Sequence, residues 1–205
     1  MEIENLGQLN EMHIDVLKEI GNIGAGNAAT SLSQMLNRQV KMVTPVVRIL
    51  DINQADRVLG GPETPVVAIL SKLHGDINGI MMFVIEQEFT QSLLEALLGE
   101  SRADCANLSD MECSALSEIG NIMIGSYANS IASLSNLEIK ISVPAVKADM
   151  VGALLTVPAA EMGSVSDKII FIEDDFLNES QTISANMMLI PDIESLNTLM
   201  NSLGL

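Results

Sequence analysis

Hydrophobic and polar positions follow a helical period in two long stretches of the chain. Apolar residues recur every three or four positions within residues 10–36, and the same spacing returns within residues 109–135. Each stretch is followed by an alternating segment rich in β-branched residues, first "QVKMVTPVVRIL" and later "EIKISVPAVKAD". A proline, Pro45 or Pro144, breaks each segment, as is typical of an edge strand or a bulge. The pattern predicts a long helix and then a strand in each half.

The rest of each half predicts a hairpin and a short helix. The first half continues with "TPVVAILSKLHGDINGIMMFVIE", a hairpin turning at Gly75 and Asp76, and the second with "DKIIFIED" and "TISANMMLIP". Both halves close with a short amphipathic segment that ends at a glycine, "FTQSLLEALLG" and "IESLNTLMNSLG". With three strands per half, we expect an α+β fold: one pseudo-twofold domain, with two long helices and several shorter ones packed on a central six-stranded sheet. Its two repeats would span about residues 9–99 and 108–204.

A constant offset of 99 residues relates the two long helices. Leu17–Leu32 reads "LKEIGNIGAGNAATSL", and Leu116–Ile131 reads "LSEIGNIMIGSYANSI". The glycines of the first copy raise the question of a phosphate-binding loop. The second copy has Met123 in place of Gly24, and helical spacing rather than a strand precedes both copies, so neither fits such a loop. We interpret the glycine run as part of a helix.

The second half is longer than the first. Its "MMLI" segment lies 106 residues after the "MMFV" segment of the first half, which leaves about seven residues beyond the 99-residue offset. We assign part of this length to an insertion near residues 149–160, where helix-like spacing begins at Asp149, a candidate N-cap, and is interrupted by Pro158. A single insertion of this kind often forms a specialised surface.

The charge of the chain excludes several classes of protein. It carries 27 acidic and 10 basic side chains, a formal net charge of −17, which repels nucleic acids and anionic membranes. The N-terminus has neither the basic nor the apolar region of a signal peptide, and no segment offers about 18 uninterrupted apolar residues. We expect a soluble, cytoplasmic protein.

Common self-contained active sites are missing from the sequence. Cys105 and Cys113 accompany only two histidines, His13 and His74, so neither a disulfide framework nor a zinc site is indicated. We find no Ser-His-Asp set, no nucleophile elbow and no cluster of metal-binding carboxylates. Any catalysis would therefore use groups of another molecule.

Each long helix carries a narrow polar stripe. On a helical wheel, the stripe residues fall within about 40° of one line. The first stripe comprises Asp15, Glu19, Asn22 and Gly26, with Ser33 further along, and the second comprises Ser114, Glu118, Asn121 and Gly125. Gly21 and Gly120 lie on the opposite side of the wheel, which predicts close packing of each helix on the sheet.

The glutamate and the asparagine of each stripe lie one turn apart and point the same way. A carboxamide donates and accepts hydrogen bonds at once, so it can hold a water molecule for attack without taking its proton. The glutamate can pair with a lysine of a partner, and the stripe glycine allows another backbone to approach closely. Polar pairs at this spacing usually form only a solvated face, but both copies keep the pair although the helices have diverged. We therefore predict a functional site on each stripe.

These motifs resemble those of the CheC/CheX/FliY family of phosphatases in bacterial and archaeal chemotaxis. The first copy reads D-x-x-x-E-x-x-N, and the second reads S-x-x-x-E-x-x-N. The resemblance implies a phosphatase that removes the phosphoryl group from the aspartate of phosphorylated CheY. It also implies that Asn22 and Asn121 orient the attacking water, while Glu19 and Glu118 pair with the active-site lysine of CheY.

The resemblance further implies which partners and cofactors to expect. The chain would bind no cofactor, since the response regulator supplies Mg²⁺, and Asp15, Gly26, Ser114 and Gly125 would contact the regulator. Members of the family also bind CheD, a receptor-modifying deamidase, through a segment of the second half that breaks the symmetry. The insertion near residues 149–160, with Asp149, is the corresponding segment. We expect a monomer.

Three alternatives belong to other classes. A FliY-like flagellar switch component would need an additional C-terminal domain, and this chain stops at Leu205. A CheX-like protein carries one motif per chain and dimerises, whereas this chain has two motifs. A non-catalytic adaptor for CheY or CheD stays open, because a binding stripe and a catalytic stripe look alike in sequence.

Overall fold

The computed structural model describes residues 3–99, 107–162, 168–178 and 181–205. In the first half, a short 3₁₀ helix (Leu6–Gln8) precedes α1 (Glu11–Leu36), β1 (Val40–Met42), β2 (Val46–Asp51), α2 (Ile52–Val58), β3 (Pro65–Gly75), β4 (Gly79–Glu86) and α3 (Gln87–Leu98). In the second half, the elements are α4 (Asp110–Ser135), β5 (Ile139–Ile141), β6 (Ala145–Met150), α5 (Val151–Met162), β7 (Lys168–Asn178), β8 (Gln181–Pro191) and α6 (Ile193–Ser202).

Local sequence signals define both ends of the two long helices. The side chains of Asn10 and Ser109 accept hydrogen bonds from the backbone N–H three residues on, and each belongs to a capping box. At the other ends, Asn37 (φ 48°) and Asn136 (φ 56°) adopt the left-handed conformation that terminates a helix. The same caps at both helices give α1 and α4 the same length, 26 residues.

The sheet contains strands of both halves and is entirely antiparallel. Its order is β1-β7-β8-β4-β3-β5, with β2 also paired to β7 and β6 also paired to β3. The described strands therefore number eight but occupy six positions, because each proline-broken segment forms two short strands along one neighbour. The predicted α+β class is confirmed.

The pseudo-twofold symmetry is visible in the strand register. Val46 of β2 pairs with Glu173, and its counterpart Ala145 of β6 pairs with Leu70. At the centre, Met82 of β4 pairs with Met188 of β8, which is its own counterpart at the 106-residue offset. The symmetry axis thus passes between β4 and β8.

Helices cover both faces of the sheet, and alternate strand residues serve the two sides. Met81 and Phe83 belong to a core beneath α1, α3, α4 and α6. Met82, between them, belongs to a second core beneath α2 and α5. The two long helices consequently lie on the same face of the sheet.

Gly21 of α1 and Gly120 of α4 allow close packing of their helices on the sheet, as the sequence predicted. A Cβ on Gly120 would lie 2.1 Å from Ile69 Cγ2, and one on Gly21 would lie 3.4 Å from Val47 Cγ2, so both helices approach the sheet closely. A Cβ on Gly24 would lie 2.6 Å from the ring of Tyr127, which places this ring against α1. The whole glycine run of α1 lies inside one continuous helix.

Part of the extra length of the second half lies where the insertion near residues 149–160 was predicted, but that segment as a whole is not an insertion. Residues 52–58, left unassigned by sequence reasoning, form α2, and α5 is its counterpart in the second half. β2 and β6 begin 99 residues apart, β3 and β7 begin 103 apart, and Met82 and Met188 are 106 apart. Four extra residues therefore fall between β6 and β7, and three fall in the β7–β8 hairpin.

Two local predictions for the same segment also need correction. Asp149 does not begin α5: it lies in β6, paired with Val66, and its Oδ1 accepts a hydrogen bond from the Met150 N–H (2.8 Å). Pro158, predicted to interrupt the helical spacing, lies inside α5. A proline can remain in a helix where the chain tolerates one missing backbone hydrogen bond. What distinguishes the second half here is a helix of 12 residues in place of the 7 of α2.

Candidate functional site

Each long helix buries one face in the core and presents its polar stripe to solvent. In α1, Leu17, Ile20 and Leu32 are each 1% exposed, whereas Glu19 and Asn22 are exposed. The same alternation holds for α4. Of the predicted residues, Asp15, Glu19, Asn22, Ser114, Glu118 and Asn121 are exposed, and Gly26 and Gly125 are half-buried.

The glutamate and the asparagine of each stripe form an open pair. Positions i and i+3 of a helix have Cβ atoms about 5–6 Å apart. None of Glu19, Asn22, Glu118 and Asn121 forms a hydrogen bond or an ion pair with another residue of the described part of the chain. Each pair can therefore bind a partner without first breaking a contact within the protein.

The two stripes differ one turn before the glutamate. Asp15 Oδ1 accepts a hydrogen bond from Lys18 Nζ (2.8 Å), and both side chains are exposed. A surface ion pair of this kind contributes about 0–1 kcal/mol, so a partner can displace it at little cost. Ser114 Oγ instead donates to the Asp110 carbonyl (2.8 Å) of its own helix. The first stripe thus carries a charged contact that the second lacks.

The stripe glycines are not required by the fold. A Cβ on Gly26 would lie 3.8 Å from Met42 Sδ, and one on Gly125 would lie 3.7 Å from Ile141 Cδ1, both ordinary contact distances. A glycine inside a helix costs about 1 kcal/mol relative to alanine. A glycine at both positions is therefore better explained by the close approach of a partner than by packing.

Ser33 does not belong to the site. Its hydroxyl donates to the Ala29 carbonyl (2.7 Å) and accepts from the Val40 N–H (2.9 Å), so it connects the end of α1 to β1. The helical wheel could not show this, because the contact depends on where the chain goes after the helix.

A buried polar pair lies beneath the helices, and sequence reasoning missed it. The Tyr127 hydroxyl of α4 donates to Asp174 Oδ2 of β7. Burial raises the pKa of Asp174 to about 7, while the hydrogen bond from Tyr127 opposes this rise and the nearby Asp175 carboxylate adds to it. Burial also raises the pKa of Tyr127 well above its usual value. The available signal was one acidic residue at an inward position of the apolar segment "IIFIEDDF".

We expect Asp174 to make stability depend on pH. Its folded pKa of about 7 exceeds the ordinary 3.8, so between these values the folded chain binds more protons than the unfolded chain. The stabilising contribution is complete below about pH 4 and is lost as the pH rises through about 7. Asp174→Asn keeps an acceptor for Tyr127 but cannot titrate, so it should remove this dependence.

Thermal unfolding of both proteins at about pH 5 and about pH 8 measures the effect. The wild type should lose about 3 kcal/mol of stability relative to Asp174→Asn over this interval. The comparison cancels the titration of surface carboxylates, which both proteins share. A stability difference that is the same at both pH values would contradict the prediction.

Other candidate chemistry is not concentrated anywhere in the described part of the chain. No group of three or more His, Cys, Asp or Glu side chains there could hold a metal ion. Cys113 is a free thiol, and Cys105 lies outside the described residues. His13 accepts a hydrogen bond from the Asn10 N–H through its Nδ1 (3.0 Å), which is a capping role. Among the described helices, none combines the length and apolarity that a membrane span requires.

Two exposed methionines head the stripes and were not identified from the sequence. Met12 and Met111 lie exactly one repeat apart, at the 99-residue offset, and are 63% and 68% exposed. The signal was present in the sequence, because the identity lies just before the segment in which the repeat was recognised.

Comparison with known proteins identifies the same family in both halves of the internal repeat. A sequence model of the CheC-like family matches the chain twice, over residues 12–49 and 111–148. The chain is 34% identical over 200 residues to the CheY-P phosphatase CheC of Bacillus subtilis strain 168, and the match covers 96% of each protein. It is 33% identical over 147 residues to the flagellar motor switch phosphatase FliY of the same organism, which covers 71% of this chain and 38% of FliY.

A solved structure has the same fold. FliY of Thermotoga maritima superposes with a TM-score of 0.75 at 22% identity, covering 96% of this chain and 98% of that one. At this level of identity the likeness concerns the fold alone, and the sequence relatives carry the assignment. With two matches on the stripe-bearing helices and a relative aligned along nearly its whole length, the chain belongs to the CheC-like family.

Proposed function

We propose that this chain is a phosphatase that accelerates hydrolysis of the phospho-aspartate of a CheY-type response regulator. The observation that supports this most is the pair of exposed, unpartnered Glu-x-x-Asn motifs, one on each long helix. The printed name of the Bacillus subtilis relative, a CheY-P phosphatase, supports the same substrate. Each motif would insert into the active site of one regulator molecule, and the phosphatase would act as a monomer.

The asparagine would orient the attacking water. Its carboxamide oxygen accepts a hydrogen bond from the water and its NH₂ group donates another, which aligns the oxygen lone pair with phosphorus. The water oxygen then bonds to phosphorus as the bond from phosphorus to the aspartyl oxygen breaks. The aspartate leaves as a carboxylate, and the proton of the water passes to the released phosphate. Asn22 and Asn121 therefore need no pKa near neutrality.

The glutamate would fix the docking geometry. A carboxylate on Glu19 or Glu118 can form a charge-assisted hydrogen bond with a lysine ammonium in the regulator's site. This contact sets the distance of the neighbouring asparagine from phosphorus. Since the described residues of this chain offer no metal-binding set, we assign Mg²⁺ to the regulator, where it would neutralise charge on the phosphoryl oxygens.

A time course of regulator dephosphorylation tests the proposal. The regulator is phosphorylated, the phosphodonor is removed, and the decay is followed with this chain present at a small fraction of the regulator concentration. A catalyst should accelerate the decay of the whole population, so turnover exceeds one per site. A non-catalytic adaptor should leave the rate unchanged or slow it, and that outcome would replace the phosphatase proposal.

We also propose that CheD binds the surface formed by Asp149 and α5. This region supports a separate partner because α5 packs on the face of the sheet opposite to the two stripes. Asp149 is exposed, and α5 has 12 residues where its counterpart α2 has 7, so this surface differs from its equivalent in the first half. A partner there would leave both stripes accessible.

Charge reversal at this surface should separate the two activities. We expect Asp149→Lys to weaken CheD binding about ten-fold or more. The lysine would place a positive charge in the interface, opposite CheD groups that are complementary to the negative charge of Asp149. Basal dephosphorylation of the regulator should not change. A titration of CheD against the variant measures the affinity, and Glu88→Lys, an exposed acid on α3, provides the same charge change elsewhere. Equal CheD affinity for both variants would rule out this surface.

A further inference from the structure

Met12 and Met111 expose more of their surface than an apolar side chain in a helix normally does. Their exposed fractions are 63% and 68%, and each is the second residue of its helix, α1 or α4. Each of these large side chains would be removed from water if another molecule covered it. A single exposed methionine needs no explanation, but here the same residue occupies both equivalent positions.

The fold does not account for these methionines. The start of α1 is already held by its capping box and by Leu9 and Ile14, which pack partly buried against the core on either side of the cap. Leu108 has the same role before α4. Neither methionine belongs to a core cluster. Folding would therefore be served equally well by a polar residue at either position.

The methionines extend the polar stripes toward the helix N-termini. Met12 lies within the same arc of about 80° as Asp15, Glu19, Asn22 and Gly26 at 100° per residue. The distance along the helix axis from Met12 to Asn22 is about 15 Å, at 1.5 Å per residue. The second helix repeats this arrangement from Met111 to Asn121. A globular partner centred on the asparagine would reach the methionine with the edge of the same surface.

Apolar contacts could offset the charge repulsion between this chain and an acidic partner. The chain has a net charge of −17, so charge alone would repel a partner whose docking surface is also acidic. Long-range charge would therefore slow and weaken the encounter. Burial of a methionine is independent of charge, and its flexible thioether adapts to an irregular surface.

We propose that Met12 and Met111 are apolar anchors that dock the response regulator onto each stripe. This inference rests on the proposed function, since it names further contacts of the same two sites. The anchors act on affinity and are about 15 Å from the reacting atoms, so they contribute to binding and not to the chemical step. Each would occupy an apolar depression at the rim of the regulator's phosphorylation site.

Binding of an activated regulator tests this proposal. The probe is the CheY-type regulator of the same organism, activated with beryllofluoride and Mg²⁺ and titrated against the full chain. Met12→Gln combined with Met111→Gln should raise Kd about ten-fold or more at both sites, since each loses one buried apolar side chain. At saturating phosphorylated regulator, kcat should remain that of the wild type. Glutamine has nearly the length and helix propensity of methionine, so helix content and Tm should be preserved.

Val157→Gln is the control, because Val157 is 42% exposed but lies in α5, which packs on the face of the sheet opposite to both stripes. Its Kd should equal that of the wild type. A Kd of the double variant within about two-fold of the wild type would overturn the proposal that Met12 and Met111 are anchors. A wild type that binds the activated regulator but does not accelerate dephosphorylation would overturn the phosphatase proposal alone, since the Kd comparison still decides the role of the methionines. A wild type that does not bind would overturn both.

Discussion

Replacing Asn22 and Asn121 together by alanine is expected to abolish the acceleration of CheY-P dephosphorylation. Loss of one preorganised group that acts on the transition state costs roughly 10²-fold or more in rate. The effect should fall on kcat, because in the proposed mechanism the affinity for the regulator would come from other contacts of the stripe. Both side chains are exposed and make no contact on which folding depends, so Tm should stay within about 2 °C of the wild type.

The chain supplies a matched control for this experiment. Asn27 of α1 is also an exposed asparagine, on the same helix as Asn22, but it lies off the stripe, about 80° from Glu19 and 140° from Asn22 around the helix. Asn27→Ala should leave the rate unchanged. Each single stripe variant should keep the activity of the other helix, which reveals how unequal the two sites are. A double stripe variant that retains the wild-type rate would show that water is positioned by some other group.

The long helices and their stripes could be predicted because the sequence contains its own comparison. Divergence between the copies replaced Gly24 by Met123 but kept the Glu-x-x-Asn pair, and this contrast separated packing residues from candidate site residues. The structure shows that Gly24 makes room for the Tyr127 ring, which its counterpart Met123 has no need to do. Packing constraints could change between the copies, whereas a shared binding partner would constrain both stripes in the same way.

The parts that could not be predicted depend on tertiary contacts. α2 has seven residues and no side-chain cap, so its helical spacing covers too little sequence to be recognised, and it forms because Ala55 and Leu59 pack on the sheet. Because α2 was missed, the whole of α5 was interpreted as an insertion, although it has a shorter counterpart in the first half. The pair of Tyr127 and Asp174 joins residues 47 positions apart, a separation over which periodicity carries no information.

The absence of catalytic sets in the sequence and the exposure of both stripes point to a shared active site. Glu19 and Asn22 can orient a lysine and a water, yet neither can neutralise the three phosphoryl oxygens that carry charge in the transition state. A divalent cation could neutralise these oxygens, but no group of three or more His, Cys, Asp or Glu side chains in the described part of this chain could hold one. The specificity of the phosphatase would then follow from its chemistry, because only a phosphorylated regulator completes the site.

This chain alone is therefore expected to be inactive toward small phosphate esters such as p-nitrophenyl phosphate. Its rate on such an ester should equal the buffer blank even at high protein concentration. The chain can position a water, but without a divalent cation near the phosphoryl group the charge on the phosphoryl oxygens is not neutralised in the transition state. Removing Mg²⁺ with a chelator should also abolish the assisted dephosphorylation of the regulator.

The site of the metal effect can be located by measuring each protein separately. Chelator should leave the Tm of this chain unchanged, because ligand removal lowers Tm only for a protein that binds the ligand in its folded state. The regulator alone should show a Mg²⁺-dependent Tm. Asn22→Ala combined with Asn121→Ala should give the same blank rate on the ester as the wild type. Robust ester hydrolysis, or stoichiometric metal in the purified chain, would mean that the protein holds a complete active site of its own, and the shared-site mechanism would have to be abandoned.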